Sequence, residues 1–222
     1  MTGVVSSKPD VHDMVVVHRH FRHLFAESPD LVRGLAPGDT ARAALVVDSV
    51  RFMLSCVEAH HRSEDEFLWP LLGTRTAEHA EAVERMEIQH HRLEDLIRQV
   101  TGALDELAAN PRRTLCEQVA TQLAELRSLL NEHMDEEEKV ILPLAADYLT
   151  VAEWEELGQL SAAKLDRKYH LRAFSSLMAA ATPEEQRMFL SKVPKIAVVL
   201  WRLSGRRSYA RLQAQLHGAS AG

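Results

Sequence analysis

Two stretches of the chain share one pattern, in which a histidine is followed by glutamate four residues later and by proline ten residues later. The first stretch runs from His60 to Pro70, and the second runs from His133 to Pro143. Because an α-helix turns once every 3.6 residues, the histidine and glutamate of each stretch lie on one helix face, one turn apart. An imidazole beside a carboxylate on a buried face can bind iron or a similar metal. The repeat therefore predicts two matched helices that hold metal inside a bundle.

Hydrophobic periodicity predicts helices along most of the chain. Apolar side chains recur at three- and four-residue steps on four long segments, which begin near Asp10, Thr40, Thr76 and after Pro111. Aromatic residues make up only 5% of the chain, a composition that favours helix over sheet. Four long helices with short links predict an all-α fold, an up-down-up-down four-helix bundle.

Each of the four apolar stripes carries one histidine, and three of these histidines have glutamate four residues later. The candidate metal ligands are His18, His60, Glu64, His90, Glu94, His133 and Glu137. Carboxylates on core stripes need partners, because an unpaired buried charge is costly. Seven ligands exceed the needs of one tetrahedral zinc ion and suit two metal ions, with Glu64 and Glu137 as bridges. Mixed imidazole and carboxylate ligation favours iron, with manganese as the alternative.

A rival helix register is also compatible with part of the sequence. Glu58 precedes His61 by three residues, and Glu87 precedes His90 by three, which is the spacing of ferritin-like di-iron bundles. This register turns a more polar face of the second helix inward, and the fourth helix has Leu130 where it needs an acid. We therefore favour the first register and keep the second as an alternative.

The favoured register gives several neighbouring polar residues a surface role. It predicts surface ion pairs between His61 and Asp65 and between His91 and Asp95, with outer support of the metal ligands as the alternative. It also places Glu136 and Glu138 on a solvated face. Cys56, one turn before His60, is expected to be a small core residue that could be oxidised if peroxide forms nearby.

The complete pattern resembles the hemerythrin-like, or HHE, cation-binding family. The resemblance covers roughly residues 10–148. It rests on one motif in each helix: an inward histidine in helix one, His-His-x-x-Glu followed by proline in helix two, a central histidine in helix three, and His-x-x-x-Glu followed by proline in helix four. It implies a bundle around two non-haem iron ions joined by an oxo or hydroxo bridge. By position, it implies the ligands His18, His60, Glu64, His90, His133 and Glu137.

The resemblance also implies what the domain does. Family members bind oxygen, nitric oxide or peroxide-derived species, or they sense iron and oxygen. Glu94 stands where oxygen-carrying members usually have a second histidine, and the added carboxylate favours ferric iron. We therefore expect reaction with oxygen or peroxide, including peroxide breakdown, rather than reversible oxygen carriage. The alternative is a non-enzymatic sensor of iron or oxygen that signals through its C-terminal helices.

Charge and composition exclude several other classes of protein. Residues 183–222 carry seven Lys and Arg against two Glu, a net of +5, so the rest of the chain carries −11 of the total of −6. An acidic body argues against nucleic-acid binding. The longest apolar run, Ile196 to Trp201, is too short to span a membrane. The N-terminus lacks a secretory signal and there are only two cysteines, so a reducing cytoplasm is expected.

Residues 150–222 are expected to form a helical extension to a bundle domain of residues 1–149. Thr150 with Glu153, and Thr182 with Glu185, have the spacing of helix-starting capping boxes. The segment resembles C-terminal extensions of some bacterial hemerythrin-like proteins. We expect its basic helices to cap the acidic bundle. The alternative is a helix that binds a membrane surface or a protein partner through Val198, Val199, Trp201 and Leu203.

Overall fold

The computed structural model describes residues 8–218, and within them all regular secondary structure is helical. The α-helices are α1 His12–Ala26, α2 Ser28–Arg33, α3 Thr40–Ser63, α4 Trp69–Arg75, α5 Ala80–Ala109, α6 Arg113–Glu136, α7 Leu142–Tyr148, α8 Val151–Lys164, α9 His170–Ala180, α10 Pro183–Lys192, α11 Lys195–Leu200 and α12 Arg206–Leu216. Short π-helical segments, Glu64–Leu68, Glu137–Ile141 and Trp201–Gly205, join α3 to α4, α6 to α7 and α11 to α12. Two 3₁₀ turns, Ala77–His79 and Arg167–Tyr169, precede α5 and α9.

Helices α1, α3, α5 and α6 pack as a ring in which each helix contacts two others. Cross-helix polar pairs establish that neighbours are antiparallel: on α3 and α5, Arg51 pairs with Asp105 while Asp65 pairs with His90. Helices α5 and α6 are also antiparallel, because Gln89 in the first half of α5 donates a hydrogen bond to Glu136 at the C-terminal end of α6. The predicted up-down-up-down bundle is confirmed.

The two repeated stretches contain the same local irregularity. A π-helical turn begins at each repeat's glutamate, where the Trp69 N–H donates to the Glu64 carbonyl and the Leu142 N–H donates to the Glu137 carbonyl. The residue after each of these donors is proline, which has no N–H and would crowd the carbonyl four residues earlier in a regular helix. The wider turn accommodates the proline, so the helix continues beyond Pro70 instead of ending there.

Helix starts agree with the sequence in most places. Asp39 caps α3 by accepting a hydrogen bond of 3.0 Å from the Arg42 N–H. Thr150 and Thr182 each form the complete capping box predicted for them. The first helix begins at His12, slightly later than the sequence indicated.

The C-terminal helices pack along the bundle as a cap. Helix α8 lies on α3, α9 lies on α1, and α12 lies on α9. Tyr169 and Leu216 are buried in the same hydrophobic cluster as the inner faces of the bundle helices, and Arg42 donates hydrogen bonds to the last carbonyls of α12. The division at residue 149 remains a prediction, since this core is shared. Between residues 8 and 218, no helix combines the length and apolar character that crossing a membrane requires.

Candidate metal centre

Six of the seven predicted ligands meet between two hydrophobic clusters of the bundle. Their exposed fractions are 0% for His18, Glu64, His133 and Glu137, and 5% for His60 and His90. One cluster includes Phe21, whose ring lies 5.2 Å from that of His60, and the other includes Trp69, whose ring lies 5.5 Å from that of His90. The polar groups are thus enclosed by apolar side chains.

The imidazoles are arranged as two pairs. The Nε2 atoms of His18 and His60 are 3.3 Å apart, and those of His90 and His133 are 3.2 Å apart. Both pairs therefore direct ring nitrogens towards the centre of the bundle. This arrangement offers two separate positions for a metal ion.

The two carboxylates each lie between the imidazole pairs. Glu64 places Oε1 3.1 Å from Nε2 of His60 and Oε2 3.6 Å from Nε2 of His90. Glu137 Oε2 lies 3.2 Å from Nε2 of His18 and 3.6 Å from Nε2 of His133. Each glutamate can therefore contact both metal positions.

The donor atoms fit a bound cation. None of the four oxygens of Glu64 and Glu137 has a hydrogen-bond partner, although all are buried. Buried carboxylate oxygens without donors are costly unless a cation binds them. The surrounding nitrogen and oxygen atoms are close enough for groups of residues to share one ion.

Electrostatics favour the same interpretation. Burial lowers the pKa of His60 and of His133 to about 3, so both are neutral at pH 7, the form that binds metal. Burial and the charge of Glu137 raise the pKa of Glu64 well above its usual range. Burial also acts to raise the pKa of Glu137, but His18 and His133 outweigh it and lower that pKa to about 2. A cation between the carboxylates would offset their mutual repulsion.

An outer hydrogen bond fixes the ring of His18. Its Nδ1–H donates to Glu138 Oε1 at 3.0 Å, and Arg22 donates to the same oxygen at 2.8 Å. The carboxylate can only accept, so Nδ1 carries a proton and Nε2 faces the centre. Burial acts to lower the pKa of His18, but Glu137 and Glu138 outweigh it and raise that pKa, so a cation bound at Nε2 would compete with a proton there. The prediction that Glu138 lies on a solvated face is therefore wrong.

Equivalent bonds orient two other rings. The Nδ1–H of His90 donates to Asp65 at 2.6 Å, and that carboxylate also accepts from Trp69 Nε1 at 3.0 Å. The Nδ1–H of His133 donates to the side-chain carbonyl of Gln89 at 3.0 Å. Outer partners of this kind set the tautomer and raise the basicity of a metal-binding imidazole.

His61 is a donor that the favoured sequence register missed. It is 6% exposed, its ring stacks on that of His90 at 4.1 Å, and its Nε2 is buried without a hydrogen-bond partner. It can share one ion with Glu64, His90 and His133. The predicted surface pair of His61 with Asp65 is wrong, because Asp65 bonds to His90 instead. The rival register placed His61 inward, so the Glu58 to His61 spacing was the sequence signal that could have identified this residue.

Glu94 does not join the centre. Its side chain is 62% exposed and forms an ion pair with Arg98 at 3.2 Å on the outer surface of α5. The expectation that Glu94 faces the core is therefore wrong. Glu94 cannot donate charge to a metal in the bundle, so the argument that it favours ferric iron and peroxide chemistry fails. His91 is also exposed, but Asp95 pairs with Arg98 and not with His91.

Two further buried groups near the centre have structural roles. Burial raises the pKa of the Cys56 thiol to about 12, so the reactive thiolate is scarce at neutral pH. His20, on the outer side of α1, lies 3.2 Å from Ser176 Oγ of α9, and burial lowers its pKa to about 3. Neither residue belongs to the groups that could hold a metal.

The fold and its donor set define a helical-bundle domain that can bind metal cations. The chain belongs to the hemerythrin HHE cation-binding domain family, whose profile matches residues 10–145, more than half of the chain. No curated protein and no solved structure matches it. The family description supports cation binding, typically of iron, and agrees with the histidine and glutamate groups of the bundle.

Proposed function

We propose that the chain holds two non-haem iron ions and binds or reacts with oxygen, peroxide or nitric oxide at them. The observation that carries this proposal is the set of four buried, donor-free carboxylate oxygens between two pairs of imidazoles. One tetrahedral ion cannot use so many donors, whereas two ions, each within reach of both glutamates, could use them. Nitrogen and oxygen donors in this mixture suit iron, with manganese as the alternative metal.

The proposed ligands divide unequally between the two positions. One ion would be held by His61, His90 and His133, and the other by His18 and His60, with Glu64 and Glu137 within reach of both positions. The second position has fewer protein donors and so leaves more room for an added small molecule. Iron held at these positions would supply redox chemistry and an open coordination position for a diatomic or peroxide ligand.

The protein residues would control access and proton placement. The almost complete burial of the ligands restricts the substrate to a small molecule that passes between side chains. Glu138, Asp65 and Gln89 hold protons on Nδ1 of their histidines and keep Nε2 directed inward. The enclosing apolar side chains exclude bulk water, which strengthens electrostatic interactions inside.

Metal analysis of matched variants tests the ligand set. The purified chain should contain about two iron ions, and His90→Ala should lose much of this iron while its exposed neighbour in His91→Ala keeps it. We also expect His61→Ala to lose iron, although the sequence register had placed His61 in a surface ion pair. Glu94→Ala should keep the metal. Equal iron content in His90→Ala and His91→Ala would contradict the proposed centre.

Activity assays then separate the small-molecule chemistries. The iron-loaded chain should change its visible spectrum when oxygen, nitric oxide or peroxide is added, and His60→Ala should abolish the change. Release of oxygen from peroxide would identify peroxide breakdown as an activity. A spectrum that none of the three molecules alters would contradict the reactive-centre proposal.

A sensor is the second candidate, because the C-terminal helices hold the helix that carries His18. Glu185 of α10 accepts from Arg19 of α1 at 2.5 Å, and Lys192 donates to Asp13 at 2.8 Å. Metal-dependent movement of α1 would therefore reach the extension. Trp201 fluorescence and protease cutting near Arg206 should respond to iron if the chain is a sensor. Responses of the extension without any turnover would favour the sensor.

A further inference from the structure

Helix α11 and the π-helical segment after it present a row of exposed aliphatic side chains. Ile196 is 66% exposed, Val199 48%, Leu200 52% and Leu203 67%. Their spacing of three, four and seven residues places them on one helix face. We call these four residues the aliphatic ridge. Large aliphatic side chains grouped on a solvent-facing surface mark an interaction site more often than scattered ones do.

The opposite face of the same segment is fixed to the protein. Trp201 is 5% exposed and packs edge-on against Phe174 of α9 at 5.8 Å. Gly205 approaches α9 so closely that a Cβ there would lie 2.6 Å from Ser175 Oγ. The segment is thus anchored by one side, and the aliphatic ridge faces away from the bundle.

The segment that carries the aliphatic ridge has charge of one sign. From Gln186 to Gly222 the sequence contains no Asp or Glu, and it contains the basic residues Arg187, Lys192, Lys195, Arg202, Arg206, Arg207 and Arg211. Among the residues that the structure describes, only Lys192 of this group forms an ion pair. The other six basic side chains therefore form no direct ion pair with the acidic bundle in the described structure, although the C-terminal helices do cap it.

We propose that the aliphatic ridge and its basic flank dock on an anionic lipid membrane surface. Aliphatic side chains would enter the boundary between headgroups and acyl chains, while Lys195, Arg202 and Arg207 would contact anionic headgroups. The helix would lie in the plane of the surface. The aliphatic ridge itself contacts no residue of the candidate metal centre, because its segment packs on α9.

A second copy of the chain fits the aliphatic ridge less well. A two-fold contact through the ridge would oppose Lys195 and Arg202 of both copies, and like charges repel. A head-to-tail contact would need an apolar surface elsewhere, but Ile88, Tyr148 and Leu171 lie singly on three different helices. An anionic membrane supplies both the apolar layer and the opposite charge.

Vesicle flotation tests the docking surface with the full iron-loaded chain. We expect it to float with phosphatidylcholine vesicles that contain phosphatidylglycerol and not with phosphatidylcholine alone, and high salt should weaken the binding. Ile196→Ser with Leu203→Ser should reduce the binding by at least about tenfold, since two aliphatic side chains no longer enter the membrane. Ile88→Ser, which changes an exposed isoleucine elsewhere, should bind normally.

Three outcomes would overturn the proposal. The first is no binding of the unaltered chain to anionic vesicles. The second is a pair of results: the variant with Ile196→Ser and Leu203→Ser binds vesicles normally, whereas the variant with Lys195→Gln and Arg202→Gln does not bind. Binding would then depend on charge alone and not on the aliphatic side chains. The third is a dimer in sedimentation that the serine variant dissociates, which would make a second copy the occupant. Iron content and helical circular dichroism should be the same in all of these variants, because every altered side chain is exposed.

Discussion

Glu185 joins the C-terminal helices to α1, and its removal gives a quantitative test of that contact. Its carboxylate accepts a hydrogen bond of 2.8 Å from the Thr182 N–H and one of 2.5 Å from Arg19, and it lies 2.9 Å from Nε2 of His12. The side chain is only 9% exposed. One residue therefore caps α10 and binds α1 at the same time.

The size of the effect follows from these three contacts. Loss of a capping interaction costs about 1 kcal/mol. The bonds to Arg19 and His12 should each contribute about 1 kcal/mol, at the low end for charged groups because both partners are partly exposed. Glu185→Ala should therefore lower the free energy of unfolding by about 2–3 kcal/mol and the melting temperature by about 5–10 °C.

Thermal unfolding followed by circular dichroism measures this change. The control is Glu184→Ala, which alters an adjacent glutamate that is exposed and forms no ion pair in the described structure. Its melting temperature should match that of the unaltered chain. If Glu184→Ala and Glu185→Ala melt together, the inferred connection between α10 and α1 is refuted.

The same contact has a defined pH dependence. Burial raises the pKa of Glu185, but the Thr182 N–H, His12 and Arg19 outweigh it and lower that pKa to about 2 from its ordinary 4.5. A depressed pKa means that the carboxylate stabilises the fold fully above pH 4.5 and loses this effect as pH falls towards 2. The difference in melting temperature between the unaltered chain and Glu185→Gln should therefore narrow as pH falls through this range. A constant difference would exclude ionisation as its cause.

Three more predictions concern the core and the outer bonds of the metal centre. Leu216→Ala should lower the free energy of unfolding by about 2–4 kcal/mol, because that side chain is buried in the shared core, while the exposed Leu203→Ala should have little effect on denaturant unfolding. The Cys56 thiol, buried and with a pKa of about 12, should react with a disulfide reagent at pH 8 only after denaturation; rapid reaction in the folded chain would contradict its packing. Asp65→Ala should weaken iron binding about 10–100-fold in chelator competition, because His90 loses its outer partner. Unchanged affinity would show that the bond to Asp65 does not orient the ring.

Periodicity was sufficient to predict the bundle, and it selected six of the residues that the structure groups in the candidate metal centre. The step from His60 to Glu64, repeated from His133 to Glu137, depends only on helix geometry, which is local and regular. Buried polar residues on apolar stripes also have few explanations besides mutual pairing or metal. Such features can be read from one sequence because neither depends on contacts with distant residues.

The errors arose where burial depends on the tertiary structure. His61 was predicted to be at the surface because the second helix was treated as having one buried face. In the structure His61 also turns inward, where its ring stacks on that of His90 of α5, so α3 buries two adjacent rows of residues instead of one. The positions of Glu138 and His18 are 120 residues apart, and no local pattern predicts their hydrogen bond. The π-helical turns also interrupt the regular 3.6-residue repeat after Glu64 and Glu137, and the prolines that follow, Pro70 and Pro143, were the signals for them.

The two imidazole pairs come from separate helical hairpins, in which the paired histidines are 42 and 43 residues apart in sequence. Glu64 of the first hairpin reaches His90 of the second at 3.6 Å, and Glu137 of the second reaches His18 of the first at 3.2 Å. With the proposed ligands, each hairpin would contribute donors to both positions, and neither hairpin alone would carry a complete set. A bound metal would therefore act as a crosslink between the hairpins, and their separation would release it.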